Sequence, residues 1–245
     1  MRNDTLHRPL PLALAAGTSL PPPLPSPMPS DVTVWLVDAR TQSDAALRQA
    51  PAVLSPPEER RAAGLLREAD RRCYVTAHVA LRTLLGARLG VAPGNVRITR
   101  EPCRSCGSCD GDHGRPVTGD GRVHFSLSHA GPLALLALGP APVGVDVEEL
   151  PQPRTVGLVG GRLHPREAAE LAGLTEGERP AAFARCWVRK EAYLKGIGVG
   201  LARDVSLDYL GTGPTPPDGP PGWSLTDVEV PRGFAAAVAV SSPTG

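Results

Sequence analysis

Lysine is almost missing from this chain. Lys and Arg together number 26 in 245 residues, yet only Lys190 and Lys195 are lysines, so 24 are arginines. An ammonium is a compact, strongly hydrated point charge, whereas a guanidinium is a planar fork, and the two are not interchangeable. Two lysines five residues apart, in a chain that otherwise uses arginine, mark one segment where an ammonium is wanted. Net charge is missing too: 25 acidic residues leave a formal charge of +1, which gives no bulk attraction to nucleic acid or a membrane surface. No uninterrupted apolar run approaches the roughly 20 residues of a membrane span. Neither nucleic acid nor membrane is therefore expected as a partner. Five cysteines, an odd number, do not form a secreted disulfide framework, so a cytoplasmic protein is expected. The residues show no internal repeat. What remains is ordinary soluble usage, 41% hydrophobic and 21% charged, and enough length for one large domain or two small ones.

Residues 1–30 hold eight prolines (Pro9, Pro11, Pro21, Pro22, Pro23, Pro25, Pro27 and Pro29) and no sustained periodicity, which reads as a disordered extension. The rival is a signal peptide, since PLPLALAAG mimics a short apolar core before small residues; its prolines and Asp4 weaken that reading. Beyond the tail, VTVWLV from Val32 reads as a strand. Pro56 and Pro57 before Glu58 and Glu59 start a helical stretch over 58–89, stopped by Gly90 and Pro93. Val96–Thr99 suits a strand and 101–122 a polar, glycine-rich loop. HFSLSH alternates, LALLAL is continuously apolar and VGVDVE alternates again, giving three strands. Segments 165–173 and 178–196 read as helices, and 204–210, 224–230 and 234–240 as strands, with the turn-rich GTGPTPPDGPPG between. The expected class is mixed α and β.

Four groups of residues carry candidate chemistry. In Gly144-Val145-Asp146-Val147-Glu148, a strand projects Asp146 and Glu148 from one face while the valines pack behind. Two carboxylates side by side fit either a solvated strand or a hard cation such as Mg²⁺, which prefers oxygen ligands. In Trp187-Val188-Arg189-Lys190-Glu191-Ala192-Tyr193-Leu194-Lys195, Glu191 and Lys195 are an i, i+4 pair on one helical face. A surface ion pair accounts for the pair but not for the confinement of both lysines to this helix. A third carboxylate from Glu191 would complete a Mg²⁺ site, with Lys195 neutralising a phosphate. Ser128-His129 ends a strand before Gly131; a nucleophilic serine, phosphate binding and a structural turn all fit, and the absence of G-x-S-x-G removes the nucleophile elbow. Finally, Cys103, Cys106, Cys109 and His113 fit either a Zn²⁺ site of tight spacing or free thiols in a loop.

In their order, FSLSHAG, GVDVEE and WVRKEAYLKGIGVGL, with HGRP upstream, resemble the Sfp-type 4′-phosphopantetheinyl transferases of the broad-substrate group, over residues 54–210. The resemblance implies an α+β fold of two similar α/β subdomains in pseudo-twofold arrangement, with coenzyme A in the cleft between them. It implies transfer of the phosphopantetheine arm from coenzyme A to a serine of an acyl or peptidyl carrier domain, with release of adenosine 3′,5′-bisphosphate. By motif, Asp146, Glu148 and Glu191 are the implied Mg²⁺ ligands, and Glu191 the implied base that takes the serine proton. Lys195 is placed near the pyrophosphate, Ser128 and His129 at the coenzyme, with His129 near its 3′-phosphate, and Arg115 of HGRP close to the adenine nucleotide. Lys190, beside Glu191, is also assigned to the coenzyme. The implied organisation is a tail over 1–30, an N-terminal subdomain over 31–140 and a C-terminal subdomain over 141–245 with the metal and catalytic motifs, acting as a monomer.

The departures are specific. Where the family has an arginine nine residues before that of the Leu81-Arg82 pair, this chain has Cys73, with Arg72 next to it but about 100° round a helix. The upstream basic pair is shifted, leaving Arg60 or Arg61, and Val147 between the acids offers no ligand. Some members have a similar cysteine loop. An arginine-rich face from the 60–104 region would suit acidic carrier domains. Two other classes compete: a non-catalytic coenzyme A or nucleotide-binding protein of the same fold, and a small zinc-binding interaction module centred on 103–113.

Overall fold

Alternating patterns build the strands, and the strands set the frame for everything else. The computed structural model describes residues 6–14, 32–101, 114–119, 121 and 123–242. In chain order its first half holds β1 (Leu10–Pro11), β2 (Thr33–Asp38), α1 (Ala39–Val53), α2 (Pro56–Ala63), α3 (Glu68–Leu89), β3 (Ile98–Arg100), β4 (Pro116–Thr118), β5 (His124–Ala130) and β6 (Leu133–Gly139). The second half holds β7 (Val143–Glu149), α4 (Pro153–Val159), α5 (Pro165–Ala172), α6 (Arg179–Ile197), β8 (Trp223–Asp227) and β9 (Phe234–Ser241).

One sheet runs β1-β2-β6-β5, a second β7-β9-β8, and β3 and β4 form a separate hairpin. Successive residues of a strand face opposite sides, and the core clusters sort accordingly. Ala134, Leu136 and Leu138 of β6 turn towards α1 and α3, while Leu135 and Ala137 turn towards the other sheet. There they meet Val143, Val145 and Val147 of β7 and Ala236, Val238 and Val240 of β9. The opposite face of β9, Ala237 and Ala239, lies under Val188, Ala192 and Leu194 of α6. The layers are thus α1 and α3, first sheet, second sheet, α6. The first sheet is covered by α1 and α3 and the second by α6, an α+β arrangement. Among the described residues no helix is long and apolar enough to cross a membrane.

Several expected elements differ. The helical stretch 58–89 is two helices, since Gly64 ends α2 and α3 restarts at Glu68. Glu58 caps the start of α2 by accepting from Ser55 N–H and Oγ–H, both at 2.8 Å. Helix α1 was not expected, yet Ala39, Ser43, Ala46 and Val53 bury one helical face and Asp38 accepts from Arg40 N–H at 2.9 Å. Helix α4 was not expected either, and the loop over 101–122 contains β4, paired antiparallel with β3. Residues 204–210, expected as a strand, form turns, because buried cations from α6 take carbonyls that a neighbouring strand would otherwise bond. The expected disorder over 1–30 does not apply to residues 6–14: Leu10 and Pro11 pair parallel with β2, and Leu12 and Leu14 are buried. Cys103, Cys106, Cys109 and His113, the candidate Zn²⁺ ligands, lie outside the described residues.

Candidate active site

Two glycines let α6 lie directly on β7. A Cβ on Gly144 would stand 1.9 Å from Ala192 O, and one on Gly196 would stand 2.5 Å from the Trp223 ring. With both positions bare, Lys195 and Glu191 come down beside the outward face of β7, which carries Asp146 and Glu148. From the other sheet, β5 ends in Ser128-His129 at a turn where Gly131 has φ +52°. A Cβ at Gly131 would meet Glu149 Oε1 at 2.3 Å, so the turn needs glycine for both conformation and space.

Three side chains close the junction. Lys195 Nζ donates to Asp146 Oδ1 at 2.5 Å and to Ser128 Oγ at 3.0 Å, and Ser128 Oγ–H donates to the same Asp146 Oδ1 at 2.7 Å. Asp146 is 1% exposed, and its Oδ2 is buried without a hydrogen-bond partner among the described residues. An orphaned carboxylate oxygen is costly unless a ligand or cation completes it. Burial pushes the Asp146 carboxyl up, against the pull of Lys195 and the Ser128 bond. Glu148 is pushed up to about 7, by burial first and then by the charge on Asp146, with Lys195 opposing and Glu191 adding. Burial and Asp146 push Glu191 up as well. His129 opens to solvent, yet partial burial and Lys195 hold its imidazole below the ordinary value.

The three carboxylates therefore feel one another without converging: among the described residues no three His, Cys, Asp or Glu groups form a ready metal cluster. Their chemistry still fits a hard divalent cation. All are oxygen donors, one oxygen is orphaned, and each acid is held towards its neutral form by burial, with the charge on Asp146 adding at Glu148 and Glu191, a cost that a cation removes.

Arg115 joins this region from the β3–β4 hairpin. Its guanidinium donates to Glu101 at 2.9 and 3.0 Å and to Gly196 O at 3.3 Å, one residue past Lys195, while Nε is buried without a partner among the described residues. Other expected ligands stand elsewhere. Lys190 is 2% exposed and donates to Val205 O at 2.8 Å and Asp208 O at 2.5 Å, with Glu167 Oε2 at 2.8 Å. It fastens the 205–208 turns and stands with these partners rather than beside Ser128 and Asp146. Arg72 donates to Asp44 and, at 3.0 Å, to Ser43 Oγ, both on α1. Cys73 beside it faces the β5–β6 turn, Sγ 3.9 Å from Leu133 O, with its thiol pushed up to about 11 by burial and by Asp70 and Asp38. Arg60 and Arg61 are exposed on α2. Two residues went unnoticed in the sequence. Ser126 Oγ accepts from Val145 N–H at 3.1 Å and so joins β5 to β7. His78 stacks on Tyr74 with ring centroids 3.9 Å apart, close enough to His129 for their charges to interact. Their signals were the HFSLSH alternation, which puts Ser126 and Ser128 on one face, and the i, i+4 spacing of Tyr74 and His78.

Known proteins supply the comparison. Residues 142–216, which include β7 and α6, match the model of the 4′-phosphopantetheinyl transferase superfamily. The 4′-phosphopantetheinyl transferase HetI of Nostoc sp. is 31% identical over 228 residues, 90% of this chain and 92% of HetI. A putative 4′-phosphopantetheinyl transferase of Synechocystis sp. is 29% identical over 62% of this chain and 59% of its own. The 4′-phosphopantetheinyl transferase Sfp of Bacillus subtilis is 21% identical over 61% of this chain and 62% of its own. With HetI aligned along nearly the whole of both chains, this chain belongs to the 4′-phosphopantetheinyl transferase superfamily.

Proposed function

We propose that this protein transfers the 4′-phosphopantetheine arm of coenzyme A to a serine of acyl or peptidyl carrier domains, releasing adenosine 3′,5′-bisphosphate, in the manner of the Sfp-type enzymes. The observation that carries this reading is the Ser128–Asp146–Lys195 junction. It joins the two sheets at 2.5–3.0 Å and leaves one oxygen of Asp146 without a partner among the described residues. Coenzyme A lies between the subdomains 31–140 and 141–245, and the protein works as a cytoplasmic monomer.

The carrier's own serine is the nucleophile, so the chain needs no nucleophile. Its task is positioning and charge neutralisation. The serine oxygen bonds to the phosphorus attached to the pantetheine arm, and the pyrophosphate bond to the adenosine bisphosphate breaks. Glu191 takes the serine proton, directly or through a water. Lys195 Nζ keeps one N–H beyond its two bonds, which suits it to the charge growing on the departing phosphate. Ser128, His129 and Arg115 bind the coenzyme's phosphates, with Arg60 and Arg61 at the entrance. Asp146, Glu148 and Glu191 would hold Mg²⁺. When bound, it neutralises the pyrophosphate.

Intact-mass measurement tests the reading. Carrier domains from fatty-acid, polyketide and peptide assembly, incubated with the protein, coenzyme A and Mg²⁺, gain one phosphopantetheine arm on the carrier serine. No gain on any carrier, alongside measurable coenzyme A binding, would return the protein to the non-catalytic binding class.

A further inference from the structure

The segment that composition assigns to a disordered tail is bonded into both sheets. His7 N–H donates to Asp227 O at 3.0 Å and His7 O accepts from Glu229 N–H at 2.9 Å, a parallel bridge at Val228 just past β8. Three residues further on, Leu10 and Pro11 pair parallel with Trp35 and Leu36 of β2, and Leu12 N–H donates to Leu36 O at 3.2 Å. Leu14 then meets α1 twice: its N–H donates to Gln42 Oε1 at 2.8 Å, and its carbonyl accepts from Gln49 Nε2 at 2.7 Å. His7, Leu12 and Leu14 are buried, the two leucines within the core beneath α1 and α3. Nine residues thus fasten the second sheet, the first sheet and a helix of the first half.

The anchors bear on the catalytic junction. That junction spans the same two sheets, Ser128 coming from one and Asp146 from the other, and its bonds tolerate little relative movement. At its first anchor the segment bonds the backbone of Asp227. The Asp227 carboxylate accepts two bonds from Arg189, at 2.8 and 2.6 Å, on the helix that carries Glu191 and Lys195. A short chain bonded at both ends limits the separation of what it joins, because the sheets cannot part without breaking either the His7 bonds at one end or the bonds and buried leucines at the other.

We propose that Leu6–Leu14 is a clamp that fixes the second sheet against the first and so sets the geometry of the Ser128–Asp146–Lys195 junction. It is a positioning element and touches no substrate. Its effect on coenzyme A rests on the proposed transferase reading, but its structural effect does not.

Hydrogen–deuterium exchange on the full chain reads the structural effect directly. In the unmodified protein the amides of His7, Leu12 and Leu14 exchange at least about a hundredfold more slowly than in a free peptide. In Leu12→Asp/Leu14→Asp that protection is lost, and exchange also rises at Val228 and Glu229 and along β5 and β7. Coenzyme A dissociation in the same variant rises about tenfold, while kcat at saturation changes less. Should the double aspartate variant not fold, Gln42→Ala/Gln49→Ala removes the α1 anchors without burying a charge, and the same exchange pattern is expected at lower amplitude. Free-peptide exchange at residues 6–14 of the unmodified protein would overturn the clamp. So would variants that free the segment and leave β5, β7 and the β8 end as protected as before. If instead coenzyme A binds neither protein while the exchange pattern appears, the transferase reading fails and the clamp stands.

Discussion

Helix α6 carries the two lysines on different faces, and the two faces put the same ammonium to opposite use. Lys190 spends its donors on Val205 O, Asp208 O and the fully buried Glu167. Glu167 in turn accepts from the N–H groups of Leu210, Gly211 and His164. Next to it Arg189, also fully buried, is held by Asp227 and Gly211 O. Among the described residues no buried polar side-chain atom on that face lacks a partner. Lys195 has a side chain 31% exposed, bonds Asp146 and Ser128, and faces a carboxylate oxygen with no partner among the described residues. A cation whose partners are complete holds the fold; one whose surroundings are incomplete is placed for a ligand. Identity alone does not separate the two, and saturation of partners does.

The comparison breaks first at Lys190. Lys190→Met leaves Glu167 buried without its cation and frees the 205–208 turns, which costs about 3–5 kcal/mol of unfolding free energy. Urea titration reads this as a shifted midpoint. A variant as stable as the parent yet unable to bind coenzyme A would put Lys190 back among the ligands. Lys195→Met has the complementary effect, lowering kcat by about 10²–10³ through the loss of one electrostatic group. Its melting point moves much less, because Asp146 can accept a proton and keep its bond from Ser128. Equal losses of stability in the two variants would erase the distinction between the faces.

Arg115 extends the contrast beyond lysine. Its hydrogen bonds run to Glu101 and Gly196 O, but among the described residues a buried Nε remains unpaired beside the end of α6. Arg115→Ala should raise the KM for coenzyme A at least about tenfold, the worth of one charge-assisted bond to phosphate. An unchanged KM would make the arginine a purely internal strut.

The acids opposite Lys195 add a pH dependence of known sign. Glu148, Asp146 and Glu191 all have folded-state carboxyls raised above the ordinary value, Glu148 to about 7. In the metal-free protein the folded state therefore binds more protons than the unfolded chain between the ordinary carboxylate range and about pH 7, so stability falls as pH rises through that window. A divalent cation displaces those protons and removes the repulsion. Mg²⁺ should thus raise the melting temperature by a few degrees at pH 8 and hardly at all at pH 5. The same shift at both pH values would separate the cation from these carboxylates.

Some of this was legible in the chain and some was not, for physical reasons. Strands β5, β6 and β7 and helix α6 follow from period and punctuation, and the Asp146–Glu148 face follows from alternation alone. Helix α1 was missed because its buried face is small residues, Ala39, Ser43 and Ala46, and Pro51 lies inside it. Residues 204–210 were misread because their partners are side chains from α6, and pattern gives no hint of a carbonyl satisfied by a distant lysine. Residues 6–14 looked disordered because prolines dominate the stretch as a whole, while the three buried side chains are spread across both sheets and a helix. In the site, motif order led to Ser128, Asp146 and Lys195, which the fold brings together, whereas Lys190, next to Glu191 in sequence, is placed with Val205, Asp208 and Glu167.

Arg72 gives the smallest effect and the finest edge to the comparison. It sits one residue from Cys73, which faces the β5–β6 turn next to the site, yet its guanidinium is drawn off to Asp44 and Ser43 on α1. Its side chain is 34% exposed and that of Asp44 76%, so the pair is well screened. Arg72→Ala should change stability by no more than about 0.5 kcal/mol and leave the KM for coenzyme A within about twofold, a difference below the worth of a single neutral hydrogen bond. If the KM rises as it does for Arg115→Ala, the guanidinium leaves Asp44 when coenzyme binds. Saturated partners would then fail to mark a structural cation at the surface, and the rule drawn from α6 would hold only where the partners are buried.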